Sequence, residues 1–527
     1  MDHSEFCLLG DETHQEYRSC LSGYSVTITL VIISRTLNGT ESPGSMQWVG
    51  KPHGPFSVFI GSLKSFCCGL ETSKTGYEKF SKKGRPFIVP FSDFKPRVIL
   101  PPQHIRWILS QPQHILSHDK MIVEQFAFNY TMPGAHERDF GIQKILGKEL
   151  TRNFPKVYSA FLEELQSAVD ETLGLDTTSW KTLNIYSTMG NIISRANRRV
   201  ILGESLCRDK EIIYHTQQYI RWFGIMLIFL GQLLPQVFRP LFGVFLGIPL
   251  KYHRRVLERR LQPVFKERLR LLLEKGDIPC ADEIPQDIIT WSTKVALDSN
   301  KGDAQNPEFL IFSTTEALIA TATNFFSDIL SSELDQVLAD LREEARSVFS
   351  PGEMPCLYSL KKLYLADSAV RETLRRNPFS IYGLFHEVMP KEGVVTPSGH
   401  HLPQGTWISV PTWAIHHDER LYSEPDRYDP YRFMAGTDSK YKSMLTTITE
   451  NFLGFSLGDH ACPGRIYASY LLKSMIAYIM LKYEFRLFST RPANRAVGVI
   501  YPAVELTYFP ISMVIDKAVR EQRRLLQ

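Results

Sequence analysis

Residues 451–470 read NFLGFSLGDHACPGRIYASY, a turn-rich loop running into a helix. Gly454, Gly458, Asp459, Pro463 and Gly464 are turn formers, and beyond them Ala468, Leu472, Met475, Ile476 and Ile479 recur at helical spacing. Cys462 therefore sits just ahead of a helix N-terminus, where free backbone N–H groups and the positive end of the helix dipole stabilise a thiolate. Gly458 and Gly464 let the backbone pass close to something large and flat, and Gly458 can take a positive φ without steric cost.

A lone cysteine beside an apolar helix is ordinarily a small buried core residue. The spacing around this one sets it apart, because Phe455, Gly458, His460, Cys462 and Gly464 fall in the order F-x-x-G-x-H-x-C-x-G. A single thiolate on a glycine-lined loop is what an axial ligand of haem iron requires. The pattern resembles the haem-binding signature of the cytochrome P-450 superfamily. That resemblance implies a mainly α fold with a smaller β subdomain (α+β), haem b (iron protoporphyrin IX) as cofactor, and Cys462 as the iron ligand. It also implies His460 and Arg465 as partners of the haem propionates.

Composition agrees with one large domain. The chain has 527 residues, 43% hydrophobic and 12% aromatic, with no linker, low-complexity block or repeat. Residues 50–527 are expected to form a single haem-thiolate domain, and 1–49 an atypical N-terminal segment, a vestigial anchor at most. Within it Val26–Ile33 is apolar but far short of the roughly 20 residues a spanning helix needs. A net charge of +4 over 60 basic and 56 acidic residues argues against nucleic acid as a partner. The eight cysteines are scattered with no C-x-x-C pair, which disfavours zinc and a disulfide framework and suits a reducing, cytosol-facing environment.

Earlier segments follow from periodicity. Gly76–Lys83 reads as a short helix, Pro86–Phe91 and Arg97–Pro101 as strands, and Asp139–Leu173 and Leu183–Leu202 as helices. Trp222–Leu250 is the most apolar span, but Pro235, Arg239, Pro240 and Pro249 interrupt it, so it is expected to form a buried pair of helices. The family resemblance offers an alternative there, a surface flap that meets lipid headgroups and admits apolar substrates. Tyr252–Lys275 reads as a basic helix with a solvated face.

Leu363–Asn377 is a helix ended by Pro378, and Glu372 and Arg375 lie three apart on one of its faces. The pair is similar to the family's Glu-x-x-Arg, with Arg432 of Asp429–Phe433 as its third member. The implied role is a buried carboxylate between two guanidiniums, holding the Cys462 loop in register. His386 stands where relatives carry a propionate-binding arginine. His416 and His417 do not suggest a metal site, since adjacent side chains diverge and no third ligand is evident. The Trp-x-x-x-Arg expected of the family is missing from Asp139–Leu165.

The oxygen-activating helix departs most from the family. In Phe309–Thr315 bulky Leu310 and Ile311 take the small positions and Ser313 takes the acidic one. Thr314 is the candidate for relaying a proton through a water, with Thr315 beside it and Thr321 and Thr323 as rivals. The resemblance, strengthened by GESLCRD at 203–209, implies a fungal secondary-metabolism monooxygenase acting on an apolar terpenoid or indole-derived scaffold. It implies O2 as co-substrate, NADPH-derived electrons from a separate NADPH-cytochrome reductase, and residence on the cytosolic face of the endoplasmic reticulum membrane. Lys361, Lys362, Arg376 and Lys473 are the candidate docking cations. A haem-thiolate isomerase, favoured by the altered Leu310–Ser313, and a non-catalytic haem-binding paralogue are the alternatives.

Overall fold

Helical spacing of apolar residues accounts for most of the architecture. A computed structural model describes residues 46–54, 56–132, 143–175, 181–275, 284–298, 307–330, 335–349, 356–434, 444–487 and 512–517. Val26–Ile33 and the first residues of the Asp139 segment lie outside these.

The principal helices are α1 (Ser57–Lys79), α2 (His118–Gln125), α3 (Thr151–Leu173), α4 (Ile185–Leu202), α5 (Lys210–Met226) and α6 (Arg239–Lys275). They continue with α7 (Ile288–Asp298), α8 (Pro307–Leu330), α9 (Asp335–Val348), α10 (Tyr364–Arg376) and α11 (Arg465–Lys482). Helix α4 packs between α3 and α8, and α11 lies against α3, α9 and α10. Phe154, Ile192, Phe325 and Met475 belong to the core these helices share.

A second core, including Phe87, Ile99, Ile408 and Ile415, lies under a six-stranded sheet. Its strands are β1 (Gln47–Trp48), β2 (Phe87–Val89), β3 (Arg97–Ile99), β4 (Leu116–Ser117), β5 (Gly383–Val388) and β6 (Trp407–Val410), ordered β1-β2-β3-β6-β5-β4. Pairing is antiparallel except between β1 and β2 and between β3 and β6. The β5–β6 register shifts between Gly383 and His386, and Leu384 there adopts φ 52°. Such a bulge bends the strand and re-aims the side chains after it.

Several boundaries differ from the sequence expectation. The helix predicted over Gly76–Lys83 is the end of the longer α1, followed by a 3-10 turn at Ser81–Lys83. Residues 181–184 form a strand paired with 512–515, and α4 starts after Asn184, whose side chain caps it by accepting from Ser187 N at 3.0 Å. The Trp222–Leu250 run is not a buried pair of helices. Met226, Leu227 and Leu230 are buried, but Leu241, Val244, Phe245 and Ile248 on α6 are exposed. The chain breaks at Leu234 and Pro235, whereas Pro240 is tolerated in the first turn of α6 and Pro249 lies inside it. Among the described residues no helix is long and apolar enough to cross a membrane.

Candidate active site

The loop carrying Cys462 is shaped by two left-handed residues, Ser456 (φ 59°) and Gly458 (φ 73°). A Cβ at Gly458 would also lie 2.7 Å from Leu109 Cδ2, so glycine is needed there twice over. The turn delivers the Cys462 N–H to the Phe455 carbonyl at 2.8 Å and leaves the thiol just before α11. Burial pushes the thiol's pKa up, against the N–H groups of Gly464 and Arg465 and the Arg465 guanidinium, which pull it down. The helix start alone therefore does not make a thiolate here; coordination to a metal cation would.

Cys462, Phe455 and Gly464 line one side of a mostly apolar cavity of about 470 Å³. Ser313, Thr314, Ala317, Leu318 and Thr321 of α8 line it from another element, at the spacing of one helix face. Among the described residues no group of three or more His, Cys, Asp or Glu could hold a metal ion. A bare ion is thus poorly served, whereas one sulfur beside an apolar slot fits a metal that brings its own equatorial ligands, as haem iron does.

One edge of the cavity carries imidazoles. His118 and His460 both line it and stack with centroids 4.2 Å apart, and His386 lies 5.6 Å from His118 and 6.2 Å from His460. His118 Nδ1 is 2.8 Å from the Phe385 carbonyl, His386 Nδ1 is 2.9 Å from that of Leu384, and the Gln113 side chain meets the His460 ring at 2.6 Å. Burial lowers His118 to about 3 and His386 to about 4, so both rings are neutral until an anion arrives. The sequence expectation missed His118; its signal is the His118, Ile122, Gln125 spacing of one helix face. Arg465 is placed differently from His460, donating to the Cys462 carbonyl at 3.0 Å.

Behind the loop, Glu372, Arg375 and Arg432 come together. Glu372 accepts from Arg375 Nε and Nη2 at 2.7 and 2.8 Å, from Arg432 Nε at 3.1 Å and from Asp429 N at 3.3 Å. Arg375 also donates to the carbonyls of His416 and Pro425, both at 2.6 Å. His416 connects this cluster to the Cys462 loop: its Nδ1–H donates to the Arg375 carbonyl at 3.0 Å and its Nε2 accepts from Leu453 N at 2.8 Å. Burial holds the ring neutral, at about 3. Arg371 was also missed. It donates to the carbonyls of Met444 and Thr447 at 2.8 and 2.7 Å, and its guanidinium lies 3.6 Å from the Phe452 ring centroid.

On α8, Thr314 and Thr315 are separated. Thr314 lines the cavity and donates to the Ile311 carbonyl at 3.2 Å; the buried Thr315 hydroxyl accepts from Asn197 Nδ2 at 3.1 Å. Asn197 Nδ2 also donates to the Thr314 carbonyl at 2.7 Å, while its Oδ1 accepts from the Tyr467 hydroxyl at 2.6 Å. Between Thr314 and Thr321 the cavity-facing positions are Ala317 and Leu318. The acid expected at Ser313 comes three residues later as Glu316, raised in pKa by burial and bonded by the Tyr186 hydroxyl at 3.4 Å.

Two of the expected docking cations are internal. Arg376 pairs with Asp328 at 3.0 Å and Lys473 with Asp367 at 2.9 Å, and all four side chains are largely buried. Lys361 and Lys362 are exposed.

A family profile described as Cytochrome P450 matches residues 135–499. The chain is 34% identical to Cytochrome P450 monooxygenase lnaC of Aspergillus flavus, over 91% of this chain and 94% of that protein. It is 35% identical to Cytochrome P450 monooxygenase nodZ of Hypoxylon pulicicidum, over 81% and 85%, and 33% identical to Cytochrome P450 monooxygenase polB of Polytolypa hystricis, over 86% and 91%. The solved structure of retinoic acid bound cyanobacterial CYP120A1 matches with a TM-score of 0.60, covering 84% of this chain and 93% of that one; at 17% identity this concerns the fold. With the family pattern running through residues 135–499 and these relatives aligned along most of the chain, the protein belongs to the cytochrome P450 family, as one of its monooxygenases.

Proposed function

We propose that the protein inserts one oxygen atom from O2 into an apolar secondary metabolite, a terpenoid or indole-derived scaffold, using electrons that a separate reductase draws from NADPH. The observation that carries this is the single, half-buried Cys462 thiol in an apolar cavity shared with the hydroxyl-bearing face of α8. Haem b, when bound, supplies oxygen activation, with thiolate electron density favouring O–O cleavage.

The chain's own residues do the rest. Cys462 would hold the iron, and His118, His386 and His460 would offer ring N–H groups to the propionates. Phe455, Gly458 and Gly464 give the Cys462 loop its shape, and Glu372, Arg375 and Arg432 hold it in register from behind. Phe126, Leu146 and Leu318 exclude water from the chamber. Thr314 is the proton-relaying hydroxyl, because it faces the chamber while Thr315 is engaged by Asn197. The exposed Leu241, Val244, Phe245 and Ile248 suit peripheral contact with the endoplasmic reticulum membrane, on its cytosolic face.

The test is haem reconstitution followed by turnover with NADPH, O2 and an NADPH-dependent reductase. The parent is expected to give the thiolate-type reduced carbon monoxide band and reductase-dependent product. Cys462→Ala is expected to lose the band while keeping its helix content. An unchanged band in that variant, or product formed without reductase and O2, defeats the proposal.

A further inference from the structure

The long helix α6 changes character along one face. Stepping by four and three residues in turn from Leu241, that face carries Phe245, Ile248 and Tyr252, then Arg255 and Arg259, with Lys266 at the same phase. Leu241, Phe245, Ile248 and Tyr252 are each exposed over more than half their surface, as is Val244 beside them, and the three cations that follow are exposed too. One exposed stripe is thus apolar at one end and basic at the other, and the exposed Lys251 flanks the junction.

The cations of this stripe differ from the others on the helix. Arg254 is answered by Glu258 at 2.8 Å, Arg260 by Asp209 and Glu211 at 3.1 Å, Arg268 by Asp287 at 3.2 Å, and Arg270 by Glu267 and Glu274 at 2.8 Å. Lys251, Arg255, Arg259 and Lys266 have no acidic partner among the described residues. Glu258, the one acid in α6 between Leu241 and Lys266, lies about a quarter-turn off the stripe and is taken by Arg254. A merely solvated helix face interleaves both signs, as Arg270 does with its two glutamates; this stripe presents one sign only.

The order of the two halves selects what kind of anion they meet. A membrane offers hydrocarbon and, a short distance outward, charged headgroups, whereas free phosphate offers nothing to Phe245 and Ile248. At the helical rise Arg255 and Arg259 stand roughly 10 and 16 Å behind Ile248 along the axis, at headgroup level when the apolar end dips roughly 5–10 Å into the acyl boundary.

We infer that Lys251, Arg255, Arg259 and Lys266 form a docking stripe for anionic phospholipid headgroups, brought to them by the apolar end of the same helix face. The inference rests on the proposed membrane contact of Leu241, Val244, Phe245 and Ile248 and adds the lipid class and the residues that read it. The two guanidinium forks suit phosphate and carboxylate oxygens, and engaging both halves of one face sets α6 near the membrane plane.

The probes are vesicles of phosphatidylcholine alone and of phosphatidylcholine with one-third phosphatidylserine, in co-sedimentation with the haem-loaded full chain. Each basic residue at an anionic surface contributes about fivefold to binding, so the parent is expected to prefer the anionic vesicles by about 100-fold or more at low ionic strength, and far less at high. Arg255→Glu with Arg259→Glu brings the net charge of the four positions to zero. It is expected to reduce the preference to within about threefold, with haem content and neutral-vesicle binding unchanged. Arg255→Gln with Arg259→Gln, which keeps good helix formers at both positions, is expected to lose about 25-fold of the preference. Phe245→Ser with Ile248→Ser is expected to weaken binding to both vesicles by the same factor, about tenfold or more.

A preference that survives high salt, or that Arg255→Glu with Arg259→Glu retains, overturns the inference. Loss of reductase affinity in that variant with the lipid preference intact assigns the stripe to an acidic protein surface instead. Binding of the parent to both vesicles alike leaves the membrane contact standing and removes the charge reading, whereas binding to neither defeats the two together.

Discussion

Glu372 is the residue whose loss the structure makes most costly. Its carboxylate is fully buried and accepts four hydrogen bonds, three of them from two guanidiniums that are themselves almost completely buried. Glu372→Gln keeps the shape but removes the charge, leaving Arg375 and Arg432 facing each other without compensation. Breaking a buried pair in this way costs about 3–5 kcal/mol, a large part of the roughly 5–15 kcal/mol that holds a typical fold together.

The assay is denaturant unfolding of the haem-loaded protein, followed in parallel by the Soret band and by far-ultraviolet circular dichroism. The Soret signal is expected to fall first, because the weakened cluster reaches the Cys462 loop through His416 and Leu453. The variant Glu372→Leu with Arg375→Met and Arg432→Met removes all three charges together. It is expected to recover part of the loss but not all, since the two arginines also donate to the carbonyls of His416, Pro425 and Ser423. Stability of Glu372→Gln within about 0.5 kcal/mol of the parent refutes the reasoning. A triple variant no more stable than the single one shows that carbonyl bonding, not charge compensation, is the main term.

Three further outcomes are expected. Thr314→Ala should raise the NADPH consumed per product formed, while Thr315→Ala should cost about 1 kcal/mol of stability and leave coupling intact; the opposite pattern moves the proton relay to Thr315. His416 has a folded pKa of about 3, below its ordinary 6.5, so the unfolded chain binds the extra proton as pH falls and stability present above about 6.5 is progressively lost down to about 3. That amounts to about 2 kcal/mol at pH 5, and an unfolding free energy in His416→Asn with the same pH slope as the parent between pH 6 and 4.5 contradicts it. Lys361→Glu with Lys362→Glu should raise the KM for reductase, most at low ionic strength, whereas Lys473→Met should destabilise the fold and leave that KM unchanged; an unaltered KM in the charge-reversed protein removes these lysines from the docking surface.

Local chemistry and short spacings made the Cys462 loop, the Glu372–Arg375 pair and the long helices legible from sequence. Phe455 to Gly464 is a contiguous device, and Glu372 and Arg375 share a face by helix geometry alone. What escaped depended on contacts distant in sequence. Arg376 and Lys473 looked like surface cations because nothing near them in the chain announces Asp328 and Asp367 as partners. His416, set aside as one of an unremarkable pair, takes its role from Arg375 and Leu453, residues brought to it only by the fold. On α8, a family pattern laid over Phe309–Thr315 put the acid at Ser313. The cavity-facing phase of the helix, set by packing against α4, instead centres on Ala317 with Glu316 beside it. The apolar content of Trp222–Leu250 was plain, but which face met solvent was not.

Asn197 has one further consequence. Its single carboxamide joins Thr314 and Thr315 on α8 to Tyr467 on α11, just past Cys462, at distances of 2.6–3.1 Å. One side chain reaching from α4, a helix that does not line the chamber, therefore ties together two of the chamber's walls. Aspartate keeps the length but turns a donor into an acceptor toward the Thr314 carbonyl, and glutamine adds a methylene and wedges the walls apart.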